Sequence, residues 1–325
     1  MRHALFMERI VDITADGLHL AIKRGFLTIS NREAEVGRVA LDDIGALITH
    51  SYGLSSTNHV FIELSERSIP IVLCGNNHRP VAIVWPVEGH SVQAVRMKAQ
   101  ASAPKPIQKQ IWAEIVRCKI RLQGAVLKAC GKEGAAFVSI ARQVRSGDPE
   151  NKEAQAARKY WKALFGTAFK RDIAQGGVNS LLNYGYIVLR ALVSRAICAG
   201  GLHPTLGVFH SHRANAFALA DDLMEPYRPF VDRLVFHLLT QGKTKVDAEV
   251  KTYLASLSTL DLKSHVGTSP VSQQVQYFVH SVAESFETGK VKLALPDERS
   301  IFSLQNDPVQ IDDAWGENDN YDSLS

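Results

Sequence analysis

Three acidic side chains, Asp221, Asp222 and Glu225, follow two histidines within one short stretch, GVFHSHRANAFALADDLMEP (Gly207–Pro226). Imidazole nitrogen and carboxylate oxygen together make the donor set that suits Mn2+ and tolerates Mg2+. Asp222 and Glu225 stand three apart in DDLMEPYRPFVDRLVFHLL. Read as a helix, this segment puts both on one face, where they can converge on a cation. His210 lies fifteen residues before Glu225 in a loop-like segment, so its imidazole can reach the same point. A further ligand is needed. The best candidate is Glu153, at the start of a helix in DPENKEAQAARKYWKALFG. Its basic neighbours Lys152, Arg158, Lys159 and Lys162 suit an ordinary i,i+4 partner on a solvated face, so Glu153 by itself proves little. His210 alone also fits a hydrogen-bonded loop histidine. His212 completes an H-x-H pattern of the kind a zinc hydrolase uses. No second histidine pair follows, since His237, His265 and His280 are scattered, so zinc is disfavoured.

The elements that must hold these groups change character along the chain. The first ninety residues carry short β-branched runs, RIVDITA, LHLAIKRGFLTIS, RVALDDIGALITHS and IPIVLCG. Turn signals at Asp16-Gly17, Ser30-Asn31 and Gly75-Asn76-Asn77 separate them. Among them, SSTNHVFIELSERS predicts a short helix capped by Ser56 or Thr57. From about Ser91 the chain reads as successive amphipathic helices rich in Ala, Leu, Lys and Arg. ASAPKP and RSGDPEN interrupt them as connectors, and ICAGGLHPTLG is a loop that no helix crosses intact. The expected class is α+β. A small β-sandwich-like domain spans 1–90, a larger all-α-helical domain 91–296, and an aperiodic acidic tail 297–325, read as disordered.

A chain of 325 residues is comfortable for two cores. Its four cysteines, Cys74, Cys118, Cys130 and Cys198, lie far apart with no CxxC pair, which suggests neither a zinc ribbon nor a disulfide scaffold and fits a reducing cytoplasm. The start, MRHALFMERIVDI, has acidic interruptions and no small-residue cleavage site, so it does not read as a signal peptide. The most apolar window, LLNYGYIVLRALVSRAICAGGL, holds Arg190 and Arg195 near its middle and reads as a buried helix, not a membrane span. Charge is polarised: Arg96 to Arg171 carries 17 Lys and Arg against 5 Asp and Glu, whereas Ser303 to Ser325 has six acidic residues and no basic one. Such a block is the footprint of a phosphate-binding surface or a set of solvated helix faces. Arg158, Lys159 and Arg213 are candidate phosphate contacts within and beyond it. The tail either lies across the basic groove and competes with duplex, docks on a partner, or has no role.

The segments ENKEAQAARKYWKALFG, NSLLNYGYIVLRALVSRAI, GLHPTLGVFH and FALADDLMEPYRPFVD carry a family resemblance. Their order and spacing resemble those of the CRISPR-associated integrase, the endonuclease of spacer acquisition, and LMEPYRPFVD looks most like the branch found with a single RNA-guided effector nuclease. The resemblance implies that Glu153, His210 and Glu225 are the catalytic ligands of Mg2+ or Mn2+, Glu225 occupying a position that is Asp in other branches. It implies that Asp222 supports the site and that Arg228 holds a phosphate; His212 has no catalytic counterpart. It further implies that captured double-stranded DNA fragments are joined to CRISPR repeat DNA by attack of their 3′-hydroxyl. The implied partners are a second copy of the chain met through the β domain, a small ferredoxin-like adaptation protein that clamps two dimers, and the effector nuclease. The competing expectation is a non-catalytic DNA-binding scaffold with the same fold.

Overall fold

The computed structural model describes residues 9–75, 80–86, 92–210, 215–264 and 267–304. The chain opens with β1 (Arg9–Ile13), β2 (His19–Lys23), β3 (Phe26–Ser30), β4 (Glu35–Ala40), β5 (Ile44–Thr49) and β6 (Ser55–Ser56). Helix α1 (Asn58–Glu66) and strands β7 (Ile71–Cys74) and β8 (Pro80–Val84) follow. One sheet has the order β1-β5-β7-β8, parallel except for β8, and a second has the order β4-β3-β2-β6, built on two antiparallel pairings. The central strand β5, IGALIT, is buried at every position, as a parallel strand covered on both faces must be. Ile44 and Leu47 join a core shared with the second sheet and α1, while Ala46 and Ile48 join the core of the helices. The first sheet is thus the wall between the two halves.

The helical part comprises α2 (Gln93–Ala101), α3 (Lys105–Ala129), α4 (Ala136–Arg142), α5 (Lys152–Phe165), α6 (Val178–Ala199) and α7 (Ala218–Leu223). A single 3-10 turn at Glu225–Tyr227 leads into α8 (Arg228–Thr240) and α9 (Ala248–Ala255). Then come β9 (Asp261–Ser264), β10 (Gly267–Pro270), α10 (Val271–Thr288) and α11 (Glu298–Ser303). The long helices α3 and α6 form the centre. Helix α6 is long and apolar enough to cross a membrane, yet 83% of its most apolar window is buried inside the protein.

Several expectations need correction. The helical part is not all-α, because β9 and β10 pair as an antiparallel ribbon. LHLAIKRGFLTIS is a hairpin turned at Arg24 and Gly25, both at positive φ (49° and 83°). RVALDDIGALITHS splits into β4 and β5 around a 3-10 turn at Leu41–Asp43. Thr57 does stand at the N-cap of α1, but its side chain makes no capping hydrogen bond. The run from Asp221 to Leu239 is broken, since Pro226 has no N–H to continue a helix, and α7 ends before it. The tail does not begin at 297: Asp297 caps α11 by accepting the Arg299 N–H, and Ile301 is buried in the helical core. Burying that side chain contributes about 1.5–3 kcal/mol, enough to hold a short helix in place. The boundary near residue 90 and the chain beyond residue 304 lie outside the described residues.

Candidate active site

Glu153 sits in the first turn of α5, and the turn before it explains why its side chain is free to face the core. Asp148 accepts the Lys152 and Glu153 N–H groups at 2.8 and 3.0 Å, and the Asn151 side chain accepts the Ala154 N–H at 3.2 Å. The orphan donors of the helix start are therefore met without Glu153. Its carboxylate reaches Lys119 Nζ at 2.5 Å.

Glu225 comes to the same ammonium from the 3-10 turn, with Oε2 at 2.5 Å from Lys119 Nζ. The two carboxylate oxygens can be no farther apart than twice that distance. Arg228 approaches Glu225 Oε1 at 3.0 Å and lies over the Tyr186 ring, 4.8 Å from its centroid. Lys119 and Glu225 are almost fully buried, at 7% and 6% exposure. Burial alone would raise the Glu225 pKa, but the Arg228 guanidinium and Lys119 ammonium outweigh it and hold the carboxyl below its usual range. Burial likewise opposes charge on Lys119, and the Glu225 and Glu153 carboxylates overcome it, raising that pKa. Both groups remain charged out of water. Behind them Asp232 accepts hydrogen bonds from the Tyr160 and Tyr186 hydroxyls at 3.0 and 2.5 Å.

His210 is positioned by Asp222, which is 0% exposed. Asp222 accepts the backbone N–H groups of Val208 (2.6 Å), Phe209 (2.8 Å) and His210 (3.2 Å), and the His210 Nδ1–H at 2.5 Å. With Nδ1 engaged, Nε2 is the ring nitrogen left to act as a ligand or base. The Asp222 hydrogen bond raises the His210 pKa against the lowering effect of burial, and the Glu225 charge adds to it. Gly207 is required by close approach: a Cβ there would lie 2.3 Å from the His210 carbonyl oxygen and 2.9 Å from Asp222 Oδ2. Beneath the loop, Trp112 of α3 stacks on Phe209.

The site residues expected from the sequence are thus sorted. Glu153 and Glu225 are brought together, and His210 is electrostatically coupled to Glu225. Asp222 does not share a ligating face with Glu225; its oxygens are taken up by the loop it fixes. Arg228 faces Glu225. Asp221 is held by Arg190 at 2.5 Å. Arg158 and Lys159 are exposed on α5, five and six residues after Glu153, roughly 140° and 240° around the helix from it. His212 and Arg213 lie outside the described residues. The basic block is not one surface either: Arg96 bonds the Gly200 carbonyl and Glu287, and Arg171 bonds Asn179 and Asn183.

Among the described residues no three His, Cys, Asp or Glu side chains form a ready metal cluster. The donors nevertheless fit a hard divalent cation. Two carboxylates from separate segments converge, the Glu225 charge acts on the His210 imidazole whose Nδ1 is engaged by Asp222, and buried Glu225 Oε2 meets Lys119 as an ion pair without a hydrogen bond of good geometry. Lys119 was not singled out from the sequence. Its signal was there, because in IVRCKIRLQGAVL it occupies the register of Trp112, Ile115 and Leu122, an apolar face that a lysine should avoid.

Residues 11–259 match the family described as CRISPR associated protein Cas1. A CRISPR-associated endonuclease Cas1 from Neisseria meningitidis serogroup C (strain 8013) is 38% identical over 234 residues, covering 71% of this chain and 76% of that protein. Among solved structures, a casposase bound to its integration product superposes with a TM-score of 0.75 at 20% identity, covering 93% of this chain and 97% of that one. A chain of a Cas6-RT-Cas1–Cas2 complex gives a TM-score of 0.66 at 16% identity, covering 92% of this chain and 36% of that one.

Proposed function

The chain belongs to the CRISPR-associated Cas1 family, and from that premise we propose that it is a divalent-metal-dependent DNA endonuclease and integrase. It inserts captured DNA fragments into a CRISPR array through attack by their 3′-hydroxyl ends. One observation carries this reading: carboxylates from two distant segments, Glu153 and Glu225, meet at one buried ammonium, with Glu225 buried and kept charged and its charge acting on a histidine oriented by Asp222. Keeping a buried carboxylate charged with a second carboxylate drawn to the same ammonium is costly, and a scaffold that only binds DNA has no use for it.

Glu153, Glu225 and His210 Nε2 would hold Mg2+ or Mn2+, which when bound neutralises a non-bridging phosphate oxygen and favours deprotonation of the attacking hydroxyl or water. Asp222 keeps the imidazole in the tautomer and direction that ligation needs. Lys119 holds the carboxylate pair together in the position the cation would take, and Arg228 keeps positive charge beside Glu225 once it is taken, so the pair is ordered before substrate arrives. One phosphodiester bond forms as another breaks, so no nucleotide triphosphate is consumed; water in place of the hydroxyl gives strand cleavage. Exposed Arg158, Lys159 and Lys162 on α5 offer sequence-blind phosphate contacts.

The assembly proposed with this activity is a homodimer through the strand-rich half, supported by the exposed apolar side chains of Phe26 and Val36 on the second sheet. A small ferredoxin-like adaptation protein would clamp two such dimers, in keeping with the complex from which one fold relative was solved. The effector nuclease would join them. The test is an integration assay with a supercoiled repeat-bearing plasmid, a duplex fragment with free 3′-hydroxyls, Mg2+ or Mn2+, and the small partner. Covalent joining is expected with the unaltered protein and not with Glu153→Ala, His210→Ala or Glu225→Ala, each of which still binds DNA. Binding without joining by the unaltered protein under every condition would return the scaffold reading.

A further inference from the structure

Phe209 is half exposed, at 52%, although its loop is anchored to the core. Scattered exposed apolar side chains are ordinary. This one is held rigidly: its ring stacks on Trp112 with centroids 4.2 Å apart and planes within 1° of parallel, and Trp112 is only 3% exposed. Its backbone N–H is bonded to Asp222, the same carboxylate that orients His210. The His210 ring stands edge-on to it, centroids 5.5 Å apart at 85°. One face of the phenyl ring is therefore covered by Trp112. The other is an open plate one residue from a candidate catalytic group.

Resting on the strand-joining reading above, we propose that the open face of Phe209 stacks on the base at the 3′ end of the captured DNA strand and so positions its terminal hydroxyl at the Glu153–Glu225–His210 site. Inside a duplex each base is covered above and below by its neighbours, so only a terminal or unpaired base can meet the ring. Every base has a π-face, which makes such a contact tolerant of sequence, as capture of unrelated fragments demands. Each base stacked on an aromatic side chain is worth roughly fivefold to more than a hundredfold in affinity. The Trp112–Phe209 pair is already stacked and fixed, so little side-chain freedom remains to be lost on binding. Because Phe209 and His210 hang from the same carboxylate, the ring that receives the base and the imidazole that serves the reaction keep a constant separation.

The test uses the full-length protein and a partial duplex with an unpaired 3′ end carrying 2-aminopurine at its terminal position. A 3′-deoxy terminus prevents joining, and fluorescein on the duplex end reports total binding by anisotropy. Stacking quenches 2-aminopurine, so quenching is expected with the unaltered protein and with Phe209→Tyr. Phe209→Leu, which still covers Trp112, should lose the quenching and bind the unpaired end about fivefold more weakly or worse, yet hold a blunt duplex as before. Matching thermal melting of the variants keeps misfolding out of the comparison. Equal quenching in Phe209→Leu, or a bright probe on the bound unaltered protein, overturns the stacking proposal alone. Failure of the unaltered protein to bind either DNA overturns the function proposed above and this inference with it.

Discussion

Asp12 of β1 and Glu225 of the turn before α8 are carboxylates removed from water to a similar extent, with side chains 10% and 7% exposed. Asp12 lies where the first sheet meets the helices. It accepts the Tyr184 hydroxyl at 2.7 Å and has His50 Nε2 at 3.3 Å. Burial pushes its pKa up to about 6, with the Tyr184 hydrogen bond opposing. Glu225 suffers the same loss of water, yet its pKa falls, because Arg228 and Lys119 stand against it. Asp232, between tyrosine hydroxyls, follows Asp12 and is pushed up to about 6. Carboxylates serving the architecture are allowed to drift toward neutrality. The one kept charged is the one in direct contact with two cations, buried Lys119 and half-buried Arg228, which is where chemistry is to be sought.

The contrast is most severely tested by removing its charged member. Glu225→Ala leaves Lys119 and Arg228 facing each other out of water, and the expected loss is about 3–5 kcal/mol in denaturant unfolding together with loss of strand joining. A loss under about 1 kcal/mol would mean that the cluster is not truly dry. Asp222→Ala comes next: it strands the N–H groups of Val208, Phe209 and His210, which should cost about 2–4 kcal/mol and lower joining more than roughly a hundredfold by misdirecting His210. Gly207→Ala should reproduce the loss of joining through collision with the His210 carbonyl. Lys119→Met sharpens the picture, since it leaves Glu153 and Glu225 without their shared cation. The variant should melt lower than the unaltered protein in EDTA and recover more of its melting temperature when Mn2+ is added, as read by calorimetry.

The smallest effect belongs to the architectural carboxylate. The native pKa of Asp12, about 6, lies above its ordinary value of 3.8, so the native state holds that proton more tightly than the unfolded chain. The stability it contributes is complete below about pH 4 and is lost as pH rises toward 6. Asp12→Asn should remove that loss, leaving the variant's stability flatter between pH 4.5 and 7 by about 1–3 kcal/mol in denaturant unfolding at the two pH values. An unchanged pH dependence would place Asp12 in water and dissolve the contrast.

What could be read from the sequence follows the range of the interactions involved. The switch from strands to helices, the loop after α6 and the connectors ahead of α3 and α5 depend on local propensity and period, and the structure has them. Glu153, His210 and Glu225 were identifiable as candidates because their types and segments pointed to them, but nothing local says that α5 and the turn before α8 meet at Lys119. That lysine comes from a third element, α3, and its role exists only once three distant segments are packed. Asp222 shows the opposite failing. Its spacing from Glu225 fits a shared helical face, yet Pro226 breaks the helix and Asp222 turns to the backbone of residues 208–210. Counting charge between Arg96 and Arg171 likewise could not separate Lys119, Arg96 and Arg171, used inside the fold, from Arg158 and Lys159 on its surface.

The central claim is that Glu153, His210 and Glu225 gather about one divalent cation. Anomalous diffraction from crystals of this protein soaked in Mn2+ tests it most directly. The account predicts a single strong peak at ligating distance from both carboxylates and His210 Nε2, with Lys119 Nζ displaced from between them. A peak bound by other residues, or Lys119 still seated between Glu153 and Glu225 with no metal there at saturating Mn2+, would contradict it.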